Sequence, residues 1–290
     1  MGVSEAGGVG GAGWDFAGPV AGGGPGAALI GYRDLGGAGW DYRAAATTAV
    51  GVVIEFSGRD LTVDGAGGQR RLGGFVVGLP MGATRIRSVS AECVEVRLSP
   101  ARAYSLLGVA AHELGPGAVS LDELWGPEAY WLRERLEAAG NWERRFAVTK
   151  AFLAQRDRPD RVLEPEVGAA WQRIVAAGGQ VRVAELARSL GWSRKRLWSR
   201  FEDQIGLTPK RAAMLARFRC ATVGLLAGRP AAEVAAVCGY TDQAHLCRDV
   251  AIFAERTPGS LRADALPAIA ADRDRAWGTF FQSPSRAAGR

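Results

Sequence analysis

The sequence predicts an α+β chain: a small jelly-roll-like β-barrel with flanking helices, followed by an all-α domain with two helix-turn-helix units. Three observations carry this. Residues 181–262 read as one unit written twice. Leu186-Ala187, Leu190-Gly191-Trp192-Ser193, Leu197, Phe201 and Thr208-Pro209 return as Val234-Ala235, Cys238-Gly239-Tyr240-Thr241, Leu246, Val250 and Thr257-Pro258. Leu186 aligns with Val234 and Leu197 with Leu246, so one residue is inserted in the second copy just after Thr241. Residues 27–98 break into short β-branched runs punctuated by Gly, Asp and Pro. Between 100 and 177 the apolar spacing lengthens to a helical period.

In chain order, 1–26 is Gly-rich and is expected to be disordered, with Trp14 and Phe16 as the only residues able to pin it. It lacks the strand, loop and helix context of a phosphate-binding loop. Strands are expected over 27–32, 47–56, 61–63, 72–79, 84–89 and 92–98. In the last, Val94, Val96 and Leu98 alternate with Glu95 and Arg97, the pattern of a half-buried strand. Such short strands suit a small barrel able to enclose one ligand. Helices follow from Pro100, over 127–139 and over 142–155, the last capped by Asn141. The latter two, joined by Gly140-Asn141, read as an antiparallel pair. This sets a barrel domain at 27–156, a polar linker at 157–165, a helical domain at 166–264 and a tail at 265–290. A helix over 166–177 opens the helical domain.

Within the duplicated stretch, Val183, Leu186, Ala187 and Leu190 share one helical face. Gly191 ends that helix and Ser193 caps the next, which Leu197 and Phe201 anchor on the core. Gly239 and Thr241 are the expected stop and cap of the second unit, with Leu246, Val250 and Phe253 as its buried stripe. Pro209 starts a long connecting helix over 209–227, whose apolar stripe is Leu215, Phe218, Thr222 and Leu225. A short helix, a glycine turn and a second helix with a basic outward face is the geometry that enters a major groove.

Residues 180–262 resemble the C-terminal DNA-binding domain of AraC-type transcription regulators. The likeness rests on Ala184-Glu185-Leu186-Ala187, Ser193 to Phe201, Gly206-Leu207-Thr208-Pro209, Gly239-Tyr240-Thr241-Asp242-Gln243, Leu246, Arg248, Phe253, Thr257-Pro258 and Arg262. Val250 and the pair Glu255-Arg256 depart from the pattern, where the family usually has Phe and a Gly-hydrophobic pair. Gly31-Tyr32-Arg33, Arg97-Leu98-Ser99-Pro100 and Leu121 to Gly126 are similar to the N-terminal sensory region of one group of these regulators. The resemblance implies double-stranded DNA as partner, RNA polymerase as a further one, a small-molecule effector, a homodimer, and an activator of transcription in the bacterial cytoplasm, associated with the nucleoid. It implies that the helical pair after the barrel mediates dimerisation; the alternative is that the pair only covers the barrel.

The resemblance places Arg194, Lys195, Trp198 and Ser199 of the first recognition helix towards the groove, with Arg196 and Arg200 as phosphate contacts or surface charges. Gln243, Ala244, His245 and Arg248 take the equivalent places in the second. Ser193 and Thr241 complete the set as the caps. Gln suits adenine and Arg suits guanine or phosphate. The competing readings are Trp198 as a core residue and His245 as a structural histidine.

The net charge is +6 and the pI near 9.5. Basic residues outnumber acidic ones between 160 and 265, as nucleic-acid binding requires. The dominance of Arg over Lys suits bidentate recognition, although a GC-rich coding sequence explains it equally. The chain has 2 His and 4 Cys. His112 and His245 lie too far apart in sequence to signal a metal centre, so no metal, no cofactor and no enzyme activity is expected. Cys93, Cys220, Cys238 and Cys247 form no CxxC pair and are expected as small core residues in a reducing compartment. Neither a signal peptide nor a membrane span is expected. The alternatives are a barrel enzyme, a DNA-repair protein fused to a DNA-binding module, and a nucleoid architectural protein. A repair protein of that kind needs a cysteine cluster in its N-terminal half, where only Cys93 stands.

Overall fold

The computed structural model describes residues 13–261 apart from 38, 66, 67, 80, 110 and 116. The tail at 265–290, Arg262 and the first twelve residues lie outside the described residues. The strands are β1 Trp14–Ala21, β2 Ala27–Asp34, β3 Trp40–Ala44, β4 Val50–Glu55, β5 Leu61–Gly65, β6 Gly68–Leu72, β7 Gly74–Val77, β8 Thr84–Ser88, β9 Glu92–Leu98 and β10 Ala118–Ser120. They form a six-stranded sheet, β1-β2-β9-β4-β7-β10, and a four-stranded sheet, β3-β8-β5-β6. The two sheets make a barrel-like sandwich that does not close.

The larger sheet is buried on both faces. From β2, Ala28, Ile30 and Tyr32 face the second sheet together with Val53 and Phe75, and meet Ile86 of that sheet. Ala27 and Leu29 face the opposite way with Val52, Val76, Val94 and Val96, beneath a helical layer. The reading of β9 as half-buried is therefore corrected. Glu95 and Arg97 are 1% and 5% exposed, and Arg97 Nε donates to Glu95 Oε1 at 2.8 Å. They lie between the sheets, where a charge needs a partner. The space left beside them is a cavity of about 40 Å³, room for water but not for a ligand of ordinary size.

The expectation of disorder over 1–26 is also corrected within the described part. β1 pairs antiparallel with β2, Trp14 opposite Asp34 and Phe16 opposite Tyr32. Trp14 stacks its ring 5.6 Å from that of Trp40. β3 and β10 were not predicted, and the run at 72–79 is two strands parted at Gly73.

The helical layer is α1 Pro100–Leu106, a 3-10 turn Ala111–Leu114, α2 Leu121–Trp125, α3 Pro127–Ala138 and α4 Trp142–Arg156. Asn141 caps α4, its side chain accepting from Arg144 N at 2.9 Å. Gly31 is required where α4 lands: a Cβ there would stand 2.3 Å from the Trp142 ring. The same indole donates to Asp15 at 2.9 Å and so locks β1. Ala129, Leu132 and Leu136 of α3 and Phe146 and Leu153 of α4 are buried in the core beneath the sheet. The pair covers the sheet and leaves Tyr130 and Trp131 exposed.

The C-terminal domain is α5 Pro165–Ala176, α6 Val183–Ser189, α7 Arg194–Ile205, α8 Pro209–Leu226, α9 Ala231–Val237 and α10 Gln243–Ala254. α8 divides it. Ala212 and Ala216 close one core with α5, α6 and α7. Leu215, Phe218, Ala221 and Leu225 close the other with α9 and α10. Burial of both faces is why α8 shows little amphipathic contrast. The expectation of four free cysteines is corrected: Cys220 of α8 and Cys238 after α9 are joined as a disulfide, with Cα atoms 5.9 Å apart. Cys93 and Cys247 are free. No helix among the described residues is long and apolar enough to cross a membrane.

The N-terminal domain touches both helix-turn-helix units. Ala46 N donates to Phe253 O at 2.8 Å, and Arg43 pairs with Glu255 at 3.3 Å. At the other unit, His112 Nδ1 lies 3.2 Å from Asp203 O on α7.

Candidate nucleic-acid interface

The first unit is α6, a turn at Gly191 and α7. Gly191 has φ +71°, a left-handed backbone that a side chain disfavours. Ser193 then caps α7, its hydroxyl accepting from Arg196 N at 3.1 Å. Leu197 and Phe201 are fully buried. The residues around and between them are left to solvent: Arg194, Lys195, Arg196, Trp198, Ser199 and Arg200 are all exposed. Trp198 is 43% exposed and is not core. Arg194, Lys195, Trp198 and Ser199 line one concave surface together with Ala184 of α6 and Lys210 of α8.

The two other arginines are engaged by the protein. The Arg196 guanidinium lies 4.4 Å over the Trp192 ring. Arg200 binds Glu164 in the linker, and that hydrogen bond holds the Glu164 carboxyl below its usual range.

The second unit repeats this plan with one change. Gly239 has φ +73°, but the cap of α10 is Asp242, not Thr241: its Oδ1 accepts from His245 N at 2.7 Å. The insertion after Thr241 explains the shift, since Asp242 and Ser193 belong to the back halves that align with each other. Gln243, Ala244 and Arg248 are exposed; Thr241 is exposed beside them. His245 is half-buried. Its ring meets Tyr240 edge-on at 5.1 Å, and Arg217 Nη2 lies 3.4 Å from its Nε2. His245 occupies the place that Arg196 holds in the first unit, and Tyr240 the place of Trp192. In both copies the third helix residue packs on the aromatic before the cap.

Behind α10, Arg217 of α8 pairs with the buried Asp249 at 3.3 Å and sits 4.8 Å over the Tyr240 ring. Burial pushes the Tyr240 hydroxyl well above its ordinary pKa. The Arg217–Asp249 pair was not foreseen. The signal available was an acid at the position where the first unit has Arg200.

α10 ends at Glu255, whose φ of 51° is left-handed. Its counterpart in the first unit is Gly206, φ +80°. The departure seen in sequence at Glu255 is thus a non-glycine residue in a glycine conformation, and its carboxylate reaches Arg43 of the other domain.

Among the described residues no group of three or more His, Cys, Asp and Glu is arranged to hold a metal ion.

Residues 186–264 match a family model described as a helix-turn-helix domain. Among solved structures, the chain is similar to the C-terminal domain of AraT, a response regulator from Geobacillus stearothermophilus, at 21% identity over 36% of this chain and 89% of that one, with a TM-score of 0.34. ToxT from Vibrio cholerae is similar at 10% identity over 81% of this chain and 97% of that one, TM-score 0.48. Wild-type ToxT from the same organism with an unsaturated fatty acid bound is similar at 9% identity over 81% and 94%, TM-score 0.47. No curated protein matches.

Proposed function

We propose that this chain, whose residues 186–264 match a helix-turn-helix domain model, is an AraC-type, sequence-specific, effector-responsive activator of transcription that sets α7 and α10 into successive major grooves of double-stranded DNA. One observation carries the reading: two recognition helices, each with an exposed polar face, are held on a single rigid connector. α8 has 18 residues, about 27 Å of helix, against a groove repeat of about 34 Å. Arg194, Lys195, Trp198 and Ser199 read or clamp DNA from α7; Gln243, Ala244 and Arg248 do so from α10. Arg196, Arg200, the cap Ser193 and the exposed Thr241 border the phosphates. His245 is turned partly inward and contributes chiefly by fixing the start of α10.

The effector response is supported by the N-terminal domain gripping both units, at Phe253 and Asp203. Exposed Tyr130 and Trp131 on α3 supply an apolar face for a second copy, making a homodimer. In the bacterial cytoplasm such a dimer recruits RNA polymerase at the promoter it occupies.

Selection of bound sequences from random duplexes, followed by footprinting, tests this. The expected footprint covers two major-groove turns per monomer and weakens steeply with salt. Binding without sequence preference at moderate salt would sink the proposal.

A further inference from the structure

The cavity between the sheets is too small for an effector, but a larger one lies on the other side of the six-stranded sheet. A pocket of about 270 Å³ opens where the end of α1, the loop after it, α2 and the last turn of α4 meet. Its lining is about half apolar, from Leu106, Leu107, Leu124 and Trp125 among others. Its polar groups are Gln155 and two arginines, Arg156 and Arg158, and among the described residues no carboxylate lines it.

Two hydrogen-bond donors here lack acceptors. Trp125 is 5% exposed, and its Nε1 is buried with no partner. The Nε of Arg156 is likewise buried and unpartnered. Such donors cost free energy unless a ligand or water satisfies them. The Arg156 guanidinium lies 5.1 Å over the Trp125 ring. Its carboxylate partner is Glu128, 2.6 Å from Nη1 and half-exposed on the outer side. Arg158 adds a second positive charge that opposes the first.

We propose that this pocket binds a compact organic monoanion, an aromatic or branched aliphatic carboxylate of about ten non-hydrogen atoms. Its apolar body lies against Leu106, Leu107 and Leu124. Its carboxylate accepts from Trp125 Nε1 and Arg156 Nε and faces Arg158.

The site is wired to the first recognition helix. The loop residues that form one wall, Leu107, Gly108 and Val109, lie in sequence just before the 3-10 turn Ala111–Leu114. That turn carries His112, which meets Asp203 of α7. The linker grips the same loop from outside: Arg161 Nη1 donates to Gly108 O at 2.5 Å. A ligand that orders this loop therefore stabilises one seating of the turn on α7. This second step rests on the DNA-binding reading; occupation of the pocket does not.

Isothermal titration calorimetry on the full chain with benzoate, phenylacetate and 4-methylpentanoate tests occupation directly, with phenethyl alcohol as the neutral comparison. One-site binding of at least one carboxylate at millimolar concentration or below is expected, with none for the alcohol. Arg156→Gln and Trp125→Phe each weaken it about tenfold; Arg158→Gln, on an exposed residue, weakens it several-fold and covers the case where Arg156→Gln unfolds. No binding by any of the three carboxylates, or unchanged binding in all three variants, overturns the pocket. Hydrogen exchange of 107–114 and α7 reads the coupling: the ligand slows exchange in both if it holds. Binding with no change in either segment overturns the coupling alone. Failure of the chain to bind DNA would strip the coupling of its regulatory meaning and leave occupation of the pocket standing.

Discussion

Arg217 on α8 and Asp249 on α10 form an ion pair of 3.3 Å whose acid is almost wholly buried, with 5% of its side chain exposed. It fixes the second recognition helix to the connector, whereas the equivalent position in the first unit, Arg200, is exposed and pairs with Glu164 of the linker instead. Removing one member of a buried pair strands the other. Asp249→Ala is expected to destabilise the chain by about 3 kcal/mol. Replacing both partners, Arg217→Met with Asp249→Leu, restores most of it. Denaturant midpoints of the two variants check this; equal losses would contradict the pair as the cause.

The Cys220–Cys238 disulfide closes a loop with a sequence separation of 18. Closing a loop of that length restricts the unfolded chain by about 3 kcal/mol. A reductant is expected to lower the unfolding midpoint, and Cys220→Ser to abolish that sensitivity while starting from the lower value. Identical midpoints with and without reductant would show that the bond contributes nothing to stability.

The two classes of DNA contact separate by salt and by sequence. Arg248→Ala is expected to cost about 1–3 kcal/mol and to relax preference at one base position. Arg196→Ala weakens binding evenly across sequences and lowers the salt slope by about 1. Titration of specific and scrambled duplexes at several salt concentrations distinguishes them. The reverse pattern would exchange the two roles.

Glu164 ties the linker to α7 through Arg200 and has its carboxyl held low in the folded chain by that hydrogen bond. The unfolded chain binds the proton first, near 4.5. The stabilisation is thus full above that value and is lost as pH falls through the depressed folded pKa. With Arg200 nearly half exposed, solvent screening keeps it to about 0.5 kcal/mol. Glu164→Gln should flatten the acid limb of stability against pH by that amount. Buried Glu55 acts in the opposite sense: burial raises its pKa, so its preference for the protonated form tells against stability as pH rises. A steeper acid limb in Glu164→Gln would refute the assignment.

The helical half was legible because its grammar is local. Gly191, Ser193, Leu197 and Phe201 act within a few residues of one another, and the structure keeps all four roles. What sequence missed depends on distant partners. Strand β1 exists because Trp14 finds Asp34 and Trp40, which a glycine-rich composition conceals. Glu95 and Arg97 read as solvent-facing because nothing local announces a second sheet above them. Thr241 was taken for the cap because the front half of the repeat, rather than the back half, was used to place it. Cys220 lies on α8 and Cys238 just past the end of α9, and only the tertiary packing brings the two together.

The backbone link from Ala46 to Phe253 and the seat of His112 on α7 are two footholds of the N-terminal domain, one from its sandwich and one from its helical layer, on the two helix-turn-helix units. Such an arrangement works as a pair of calipers. If the sandwich shifts on one foothold while the other holds, the displacement has nowhere to go except into the angle between α7 and α10. In the proposed complex, the pitch at which the protein straddles a duplex is then adjustable from a domain that need never touch DNA.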